Sequence, residues 1–172
     1  MAKVYLSTGS NQGDRLMLLV EAAKYINKMV GRVEQFSQVV ESEPWGFEAE
    51  TTFYNQVLVV ETALKPHEVL EQVLKIEQTL GRKRTGKGYS SRTIDIDILF
   101  SDADQINEPD LVVPHPELHK RRFVLLPLAD LAPGLIHPVL KVTVTELLER
   151  LHDESRITAA VEKDEFSRIL NL

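Results

Sequence analysis

The chain contains no cysteine, and this excludes disulfide bonds, thiolate metal ligands and a cysteine nucleophile. It also lacks any apolar run of about 18 residues, so the sequence predicts no membrane span and no membrane partner. Its first residues, 1–7, lead directly into a predicted strand and do not have the pattern of a secretory signal peptide. These absences favour the cytoplasm, where we expect the protein to work.

Basic residues are also few. The chain has 20 Lys and Arg and 26 Asp and Glu, which gives a formal net charge of −6. A general nucleic-acid-binding surface needs an excess of basic charge, so we expect no nucleic-acid partner. The 172 residues, 43% hydrophobic and 27% charged, have the composition of an ordinary globular protein about one domain long. No internal repeat or long linker divides them, and we expect a monomer with a single domain over 1–172.

Hydrophobic periodicity predicts strands over 3–8, 33–42, 53–62 and 93–100, with helices after the first and the third of them. Pro66 is placed to begin the second helix and Gly81 to end it. The order strand, helix, strand, strand, helix, strand is that of the ferredoxin-like βαββαβ core. We therefore predict an α+β fold, with two helices packed on one face of a mainly antiparallel sheet.

The rest of the chain predicts a C-terminal extension of shorter elements. Ile106 and residues 111–113 favour short strands, and residues 121–131 favour a helix that Pro127 kinks or ends. Residues 143–151 predict a further helix that begins with a capping box. The core then covers about 1–151, while 152–172 have no clear period and receive no element.

Two aspartates alternate with isoleucines in the last strand of the predicted core. Side chains two residues apart on a strand point to the same face, so Asp95 and Asp97 share one face and the isoleucines share the other. Adjacent carboxylates repel each other unless a cation lies between them, and oxygen ligands favour hard cations such as Mg²⁺. The alternative is an ordinary surface cluster, since exposed pairs of acids and arginines are common and contribute about 0–1 kcal/mol.

The segment before this strand is basic, rich in glycine and without an apolar period, so 82–91 is predicted to be a loop. Basic side chains bind phosphate oxygens well. The loop contains Arg82, Arg84 and Lys87, and Arg92 follows it directly. Acids that bind a cation beside bases that bind phosphate indicate phosphoryl-type transfer.

Two spacings resemble known motifs without fitting them. Gly81-x₄-Gly86-Lys87 is not a P-loop, because glycine stands in place of the Ser or Thr after the lysine and the segment runs from helix to strand. His115 and His119 are four apart, but proline stands where the helical zinc motif has glutamate. We interpret them as two exposed histidines, with a phosphate contact from His115 as the alternative.

Residues 43–52 interrupt the strands, contain the single tryptophan and predict a long loop. Phe53 and Asn55 then share one face of the next strand. Aromatic residues on strands usually belong to the core, but an aromatic plate beside an amide also suits a flat heterocycle whose edge the amide binds. Phe123 is a candidate for a second plate.

With these residues assembled, the chain resembles the 6-hydroxymethyl-7,8-dihydropterin pyrophosphokinases of folate biosynthesis. The main likeness is Arg92-Thr-Ile-Asp-Ile-Asp-Ile-Leu, close to the family's Arg-x-x-Asp-x-Asp motif. Further likenesses between residues 4 and about 151 are Gly9-Ser10-Asn11, Asn55 in Tyr-Asn-Gln-Val, Glu77 ahead of Gly81-Arg82-x-Arg84, Val113-Pro114-His115 and Arg121-x-Phe123. The resemblance implies that ATP donates its β,γ-diphosphate to the hydroxymethyl group of the pterin and leaves as AMP.

The resemblance also implies roles for single residues. Asp95 and Asp97 would hold two Mg²⁺ ions on the triphosphate, with Arg82 and Arg92 stabilising the charge of the transition state. The remaining contacts to ATP would come from Glu77 near the ribose, Ile98 near adenine, Arg84, His115 and Arg121. The contacts to the pterin would come from the aromatic pair and amide already named, Phe53, Phe123 and Asn55, and from Ser42, Trp45 and Tyr89.

The sequence departs from the family pattern at Glu43, Phe53, Gly88, Ser90, Ser91 and Pro116, so we expect loop closure and ATP contacts to differ in detail. Loops 43–52 and 82–91 are expected to be mobile without substrates. Two other hypotheses stay open. One is a nucleotidyltransferase that releases pyrophosphate rather than AMP, and the other is a non-catalytic ferredoxin-like ligand sensor that tolerates loss of both aspartates.

Overall fold

The computed structural model describes residues 1–43, 51–81 and 93–172 of the chain. Its elements, in chain order, are β1 Ala2–Ser10, α1 Arg15–Met29, β2 Arg32–Phe36, β3 Val39–Ser42, β4 Phe53–Thr62, α2 Pro66–Thr79, β5 Asp95–Ser101, β6 Ile106–Asn107, β7 Val112–Val113, α3 Arg122–Leu131, α4 Val144–Arg150, β8 Ile157–Val161 and α5 Lys163–Leu170. The order of the elements up to β5 confirms the predicted α+β class with a ferredoxin-like core.

The main sheet has the strand order β5-β1-β4-β3-β8, and β2 also pairs with β4. All of these pairs are antiparallel, as predicted. A small second sheet joins β6 to β7, which confirms the short strands expected near 106 and 111–113. The strand that carries the two aspartates, β5, therefore forms one edge of the main sheet, and β8 forms the edge at its other end.

The predicted strand over 33–42 is divided in two at Ser37. The Oγ atom of Ser37 accepts a hydrogen bond from the backbone N–H of Val57 at 3.0 Å, and the side chain of Gln56 donates to the Ser37 carbonyl at 2.9 Å. These side-chain bonds replace regular ladder bonds, so β2 and β3 pair with different parts of β4.

Helices cover both faces of the sheet. One core joins the first face to α1, α2 and α5, with Leu6, Ile26, Leu58, Val73 and Phe166 among its members. A second core joins the opposite face to α3 and α4, with Val57, Leu99, Leu125, Leu128 and Leu147 among its members. The two helices expected on one face are thus joined by α5, while α3 and α4 cover the face on which the aspartates lie.

The helix ends follow the expected signals, apart from Pro127. Pro66 begins α2, and the Thr143 hydroxyl accepts the N–H of Glu146 at 3.2 Å, as a capping box requires. The helix predicted over 121–131 is confirmed as α3, and Pro127 is buried inside it without ending it. Proline removes one helical hydrogen bond, and the packing of α3 on the sheet offsets this loss. None of the helices in the described ranges combines the length and the apolar character that a bilayer crossing requires.

Residues beyond 152, to which the sequence assigned no element, belong to the main core. β8 pairs with β3, and Val161, Phe166 and Leu170 are buried beside α1. The Phe166 ring lies 5.1 Å from the ring of Phe36, measured between centroids. The period was hard to detect because β8 and α5 are short and leave only a few side chains buried.

Replacing Phe166 with alanine should destabilise the protein by about 3–5 kcal/mol, because the side chain is fully buried and its removal leaves a cavity. Urea unfolding monitored by circular dichroism measures the free energy of unfolding. Ser167→Ala is the matched control, since Ser167 is exposed on the same helix. Equal stability of the two variants would contradict the inclusion of α5 in the core.

Candidate functional site

Asp95 and Asp97 lie on one face of β5, as the sequence predicted. Both are half-buried, whereas Ile94, Ile96 and Ile98 on the opposite face are buried at 0%, 5% and 6% exposure. In the register of the sheet, Asp95 is opposite Gly9 and Asp97 is opposite Ser7. The buried isoleucines thus fix the strand so that two carboxylates project from the same side.

Glu77 fixes the backbone between the two aspartates. Its side chain is 2% exposed, and Oε2 accepts a hydrogen bond from the backbone N–H of Ile96 at 2.9 Å. Because β5 is an edge strand, the N–H groups on its outer side have no neighbouring strand to bond, and Glu77 accepts one of them. The structure therefore places Glu77 behind the aspartate strand, and its predicted contact with a ribose stays a prediction.

Two further predicted residues lie beside Asp97. Nη1 of Arg121 is 3.8 Å from Oδ2 of Asp97, and Nε2 of His115 is 3.9 Å from the same oxygen. Both distances exceed hydrogen-bonding length. Arg121 is 5% exposed, so its positive charge is held within the protein next to the acids. Positive charge at this position reduces the repulsion between the two carboxylates.

His115 is a neutral donor at this site. Burial and, to a smaller extent, the charge of Arg121 lower the pKa of His115 to about 4, against the opposing charges of Asp95 and Glu117. Its Nδ1 accepts the backbone N–H of Glu117 at 3.1 Å, so the proton of the neutral ring is on Nε2, the atom nearest Asp97. The interpretation of His115 as exposed is wrong, because its side chain is only 18% exposed.

A cavity of about 260 Å³ borders these groups, and Asp97, Ile98 and His115 are among its lining residues. Leu70 of α2 and Leu111 line its apolar part. A larger cavity of about 540 Å³ shares Val112, His115 and Pro116 with it but is not bordered by either aspartate. We assign the functional site to the smaller cavity, because Asp97 of the aspartate pair borders it.

A polar pair on the neighbouring strands continues the same face. Asn55 is opposite Gly9 on β1, and Gly9 is opposite Asp95. Asn55 is 4% exposed and its Nδ2 donates to Oγ of Ser42 at 2.7 Å. Phe53, at 9% exposure, is two residues away on the same face. Three adjacent strands therefore carry, side by side, Asp95 on β5, Gly9 on β1 and Asn55 on β4.

Phe123 lies in the first turn of α3, which packs against β3 and β4. The guanidinium carbon of Arg121 is 5.9 Å from the centroid of its ring. The start of α3 thus presents the half-buried Phe123 and the buried Arg121 next to each other on the aspartate face. The predicted pterin and ATP contacts of Phe123 and Arg121 stay predictions.

Six residues that the sequence assigns to the site lie outside the described residues, namely Trp45, Arg82, Arg84, Lys87, Tyr89 and Arg92. The same holds for most of the two loops expected to be mobile, 43–52 and 82–91. Their assignments stay predictions.

Sequence reasoning missed Arg15, which begins α1. Its Nη1 atom donates to Oε2 of Glu41 at 3.2 Å and to Oγ1 and the carbonyl of Thr52 at 2.8 and 3.1 Å. Its guanidinium carbon lies 3.9 Å from the centroid of the Tyr54 ring. Arg15 therefore joins the end of β3 to the start of β4, where Ser42 and Phe53 lie. In the sequence, the one feature that could have drawn attention to Arg15 is its position at the start of a predicted helix.

Within the described ranges, one group of three side chains has metal-ligand spacing away from this site. His67, Glu108 and Asp110 have ligand atoms within 4.8 Å of one another, and all three are exposed. Nε2 of His67 already makes a 2.7 Å hydrogen bond with Glu108. An exposed hydrogen bond between His67 and Glu108 explains this cluster.

An antiparallel α+β sheet with paired acids on one strand, a buried arginine beside them and a neutral histidine defines the class of a group-transfer enzyme for phosphorylated substrates. A family model described as 7,8-dihydro-6-hydroxymethylpterin-pyrophosphokinase (HPPK) matches residues 5–133. The chain belongs to this family. Elements α4, β8 and α5 lie beyond the matched residues.

Curated relatives agree with the family match. A protein of Porphyromonas gingivalis named 2-amino-4-hydroxy-6-hydroxymethyldihydropteridine pyrophosphokinase is 45% identical over 141 residues, which are 80% of this chain and 95% of that protein. A protein of the same name from Aquifex aeolicus is 41% identical over 146 residues, which are 85% of this chain and 90% of that one.

Solved structures show the same fold at low sequence identity. A crystal structure of HPPK-DHPS in complex with substrates has a TM-score of 0.71 and 16% identity over 86% of this chain. Wild-type HPPK-DHPS of Plasmodium falciparum, solved with pterin and p-hydroxybenzoate, has a TM-score of 0.70 and 19% identity over 87%. The present chain spans 43% and 41% of these two longer chains.

Gly9→Ala should destabilise the site, because a Cβ at residue 9 would lie 2.7 Å from Oδ1 of Asn55. Displacement of the buried amide should cost about 1–3 kcal/mol in the free energy of unfolding, measured with urea. Gly134→Ala is the matched control, since a Cβ there meets nothing within 4 Å. A Gly9→Ala protein as stable as the control would contradict the close approach of β1 and Asn55.

The low pKa of His115 makes stability depend on pH. The unfolded chain, with an ordinary histidine pKa, binds the proton first, so the stabilisation is present above about pH 6.5 and is lost as the pH falls towards 4. Between pH 7.5 and pH 5, the wild type should lose about 2 kcal/mol more than His115→Asn, which cannot titrate.

Urea unfolding at both pH values in the presence of a chelator measures this difference. His152→Asn replaces an exposed histidine and controls for the substitution itself. Equal losses in the wild type and in His115→Asn would show that His115 is not held neutral in the folded protein.

Proposed function

We propose that this chain transfers the β,γ-diphosphate of ATP to the hydroxymethyl group of 6-hydroxymethyl-7,8-dihydropterin, releasing AMP, in folate biosynthesis. Family membership over residues 5–133 supports the reaction class of a pyrophosphokinase. The single structural observation that carries the proposal is the pair Asp95 and Asp97 on one strand face, with buried Arg121 beside them. This arrangement suits a polyphosphate that is bound through a cation.

The 260 Å³ cavity is the proposed place for the nucleotide base. Leu70, Ile98 and Leu111 supply apolar surface to a flat ring, while Asp97 and His115 border the same cavity. A base bound there directs its triphosphate towards β5. The neutral His115 offers Nε2–H to a phosphate oxygen, and buried Arg121 offers its guanidinium. Arg84 and Glu77 keep their predicted contacts with ATP in this proposal.

The donor set on β5 fits Mg²⁺. Asp95 and Asp97 offer hard oxygen ligands from one face, both are half-buried, and the strand that carries them is fixed by the buried isoleucines. We propose that both residues hold magnesium, with two ions when ATP is bound. The ions would neutralise triphosphate charge and align its oxygens. In this proposal Asp95 and Asp97 determine the position of the polyphosphate through the ions.

The pterin is assigned to the other end of the same face. Phe53 and Phe123 offer aromatic surface, and the Asn55 amide, held by Ser42, offers polar atoms to the edge of the ring. Trp45 and Tyr89 complete the proposed set outside the described residues. Gly9 separates Asn55 from Asp95 and has no side chain, so nothing from β1 intrudes between the pterin side and the polyphosphate side.

The reaction needs no protein nucleophile. The hydroxymethyl oxygen forms a bond to the β-phosphorus, the bond from that phosphorus to the α,β-bridging oxygen breaks, AMP leaves with that oxygen, and the hydroxyl proton is released. The residues of the chain hold donor and acceptor in line and stabilise the charge that develops. Arg82 and Arg92 are proposed to contribute to this stabilisation.

The surroundings of the reaction complete the proposal. An acidic chain with local basic groups is suited to a small anionic substrate rather than to nucleic acid. We propose a cytoplasmic monomer, with the whole chain acting as one domain.

Product identification tests the function. The chain is incubated with ATP, Mg²⁺ and 6-hydroxymethyl-7,8-dihydropterin, and the products are separated by chromatography and identified by mass. AMP together with the pterin diphosphate is the expected result. Pyrophosphate without AMP would indicate nucleotidyl transfer instead, and pterin binding without turnover would indicate a sensor.

Asp97→Ala should lower turnover by about 10²- to 10³-fold while the fold is retained, because the side chain is 31% exposed and contributes charge rather than core packing. AMP release measures turnover, and circular dichroism checks the fold. Asp104→Ala, which removes an exposed carboxylate just after the same strand, is the matched control. Near-normal turnover of Asp97→Ala would rule out the proposed role of the aspartate pair.

A further inference from the structure

The segment 153–161, between α4 and α5, spans the distance between the two halves of the proposed pterin site. Its first residues contact the beginning of α3, where Arg121 and Phe123 lie. Its last residues form β8, which pairs with β3, the strand that ends at Ser42. This segment lies beyond the residues matched by the family model.

The first contact caps α3. This helix has no capping side chain of its own, and Oδ2 of Asp153 accepts the backbone N–H of Arg122 at 3.4 Å. Nη1 of Arg122 donates in turn to the carbonyl of Ser155 at 2.7 Å, and Oδ1 of Asp153 accepts the N–H of Ser155 at 2.8 Å. A carboxylate at a helix N-terminus satisfies a free donor and interacts favourably with the helix dipole.

The carboxylate of Asp153 is ionised at neutral pH. Partial burial raises the pKa of Asp153, but hydrogen bonds from Ser155 and Arg122 outweigh this effect and leave the pKa below its ordinary value. The cap therefore carries a full negative charge. The beginning of α3 is fixed by one charged group from a distant part of the chain.

The second contact fixes the opposite wall. In the register of the sheet, Ile157 is opposite Ser42 and Ala159 is opposite Val40. Ser42 is the residue whose Oγ accepts from Asn55. One residue, Arg156, thus separates the contact with α3 from the contact with β3, which leaves little freedom between the two walls.

The far end of the segment is anchored in the core. Phe166 and Leu170 of α5 are 0% and 2% exposed, and Val161 at the end of β8 is 6% exposed. Nζ of Lys163 also lies 2.8 Å from Oδ2 of Asp130, near the C-terminal end of α3. The segment is held at both ends and is not a fraying terminus.

We propose that residues 153–161 are a positioning element for the pterin site, which holds the start of α3, and with it Phe123, at a set distance from Ser42 and Asn55. This inference depends on the proposed function, because it uses the residues to which the pterin is assigned. Asp153 is a positioning residue, since it acts through α3 and does not contact the substrate. On the ATP side, Arg121 also lies at the start of α3, but it is 5% exposed and is 3.8 Å from Asp97 of β5, so its place depends less on Asp153 than that of the half-buried Phe123.

Asp153→Ala should raise the KM for the pterin by roughly three- to tenfold, the range expected for the loss of one helix cap. The KM for ATP should change less than about twofold. Steady-state AMP release with each substrate varied in turn gives both constants. Asp153→Asn retains an oxygen that accepts the N–H of Arg122, and it should restore most of the pterin affinity.

Lys163→Ala is the matched control, because it breaks a contact between the same C-terminal region and α3 at the other end of the helix. It should leave both KM values unchanged. Thermal unfolding of every variant separates positioning from stability, since a loss of stability alone does not raise one KM and spare the other. If Asp153→Ala does not fold, Arg122→Gln, which loses the bond to the Ser155 carbonyl, is measured in its place.

A selective rise in the KM for the pterin, absent in Lys163→Ala and mostly reversed in Asp153→Asn, supports the inference. Equal changes in both KM values, or no change, overturn it while the proposed function stands. A wild-type protein that forms no AMP overturns the proposed function, and the inference with it.

Discussion

The repulsion between two carboxylates on one face of β5 is the constraint on which the site depends. Asp95 and Asp97 cannot turn away from each other, because the isoleucines between and beside them are buried and Glu77 holds the N–H of Ile96. Such an arrangement is stable where positive charge is near, and Arg121 supplies part of it from within the protein. The cation that we propose for this site would relieve the remaining repulsion, and the strand already holds both carboxylates in the position to bind it.

Local patterns predicted most of the fold and the centre of the site. The period of two placed Asp95 and Asp97 on one face and buried the isoleucines, and the order of elements gave the antiparallel core. The same period placed Phe53 and Asn55 together. These features depend on neighbours in sequence, which a single chain displays directly.

Features that depend on distant contacts could not be predicted in this way. Arg15 gains its place from Glu41 and Thr52, and the break at Ser37 comes from bonds to β4. His115 was interpreted as exposed because its burial beside β5, where its backbone N–H bonds to the carbonyl of Leu99, has no local signal. β8 and α5 bury few residues each, so their periodicity is weak, and their place follows from β3 and α1 rather than from their own sequence.

The pairing of β8 with β3 has a consequence for synthesis on the ribosome. Ile157 follows Ser42 by more than a hundred residues, so at about 5–20 residues per second β3 waits on the order of ten seconds for its partner. During this time the backbone groups along one side of β3 are open to other chains. We therefore expect the nascent protein to be prone to aggregation through this strand edge until β8 emerges.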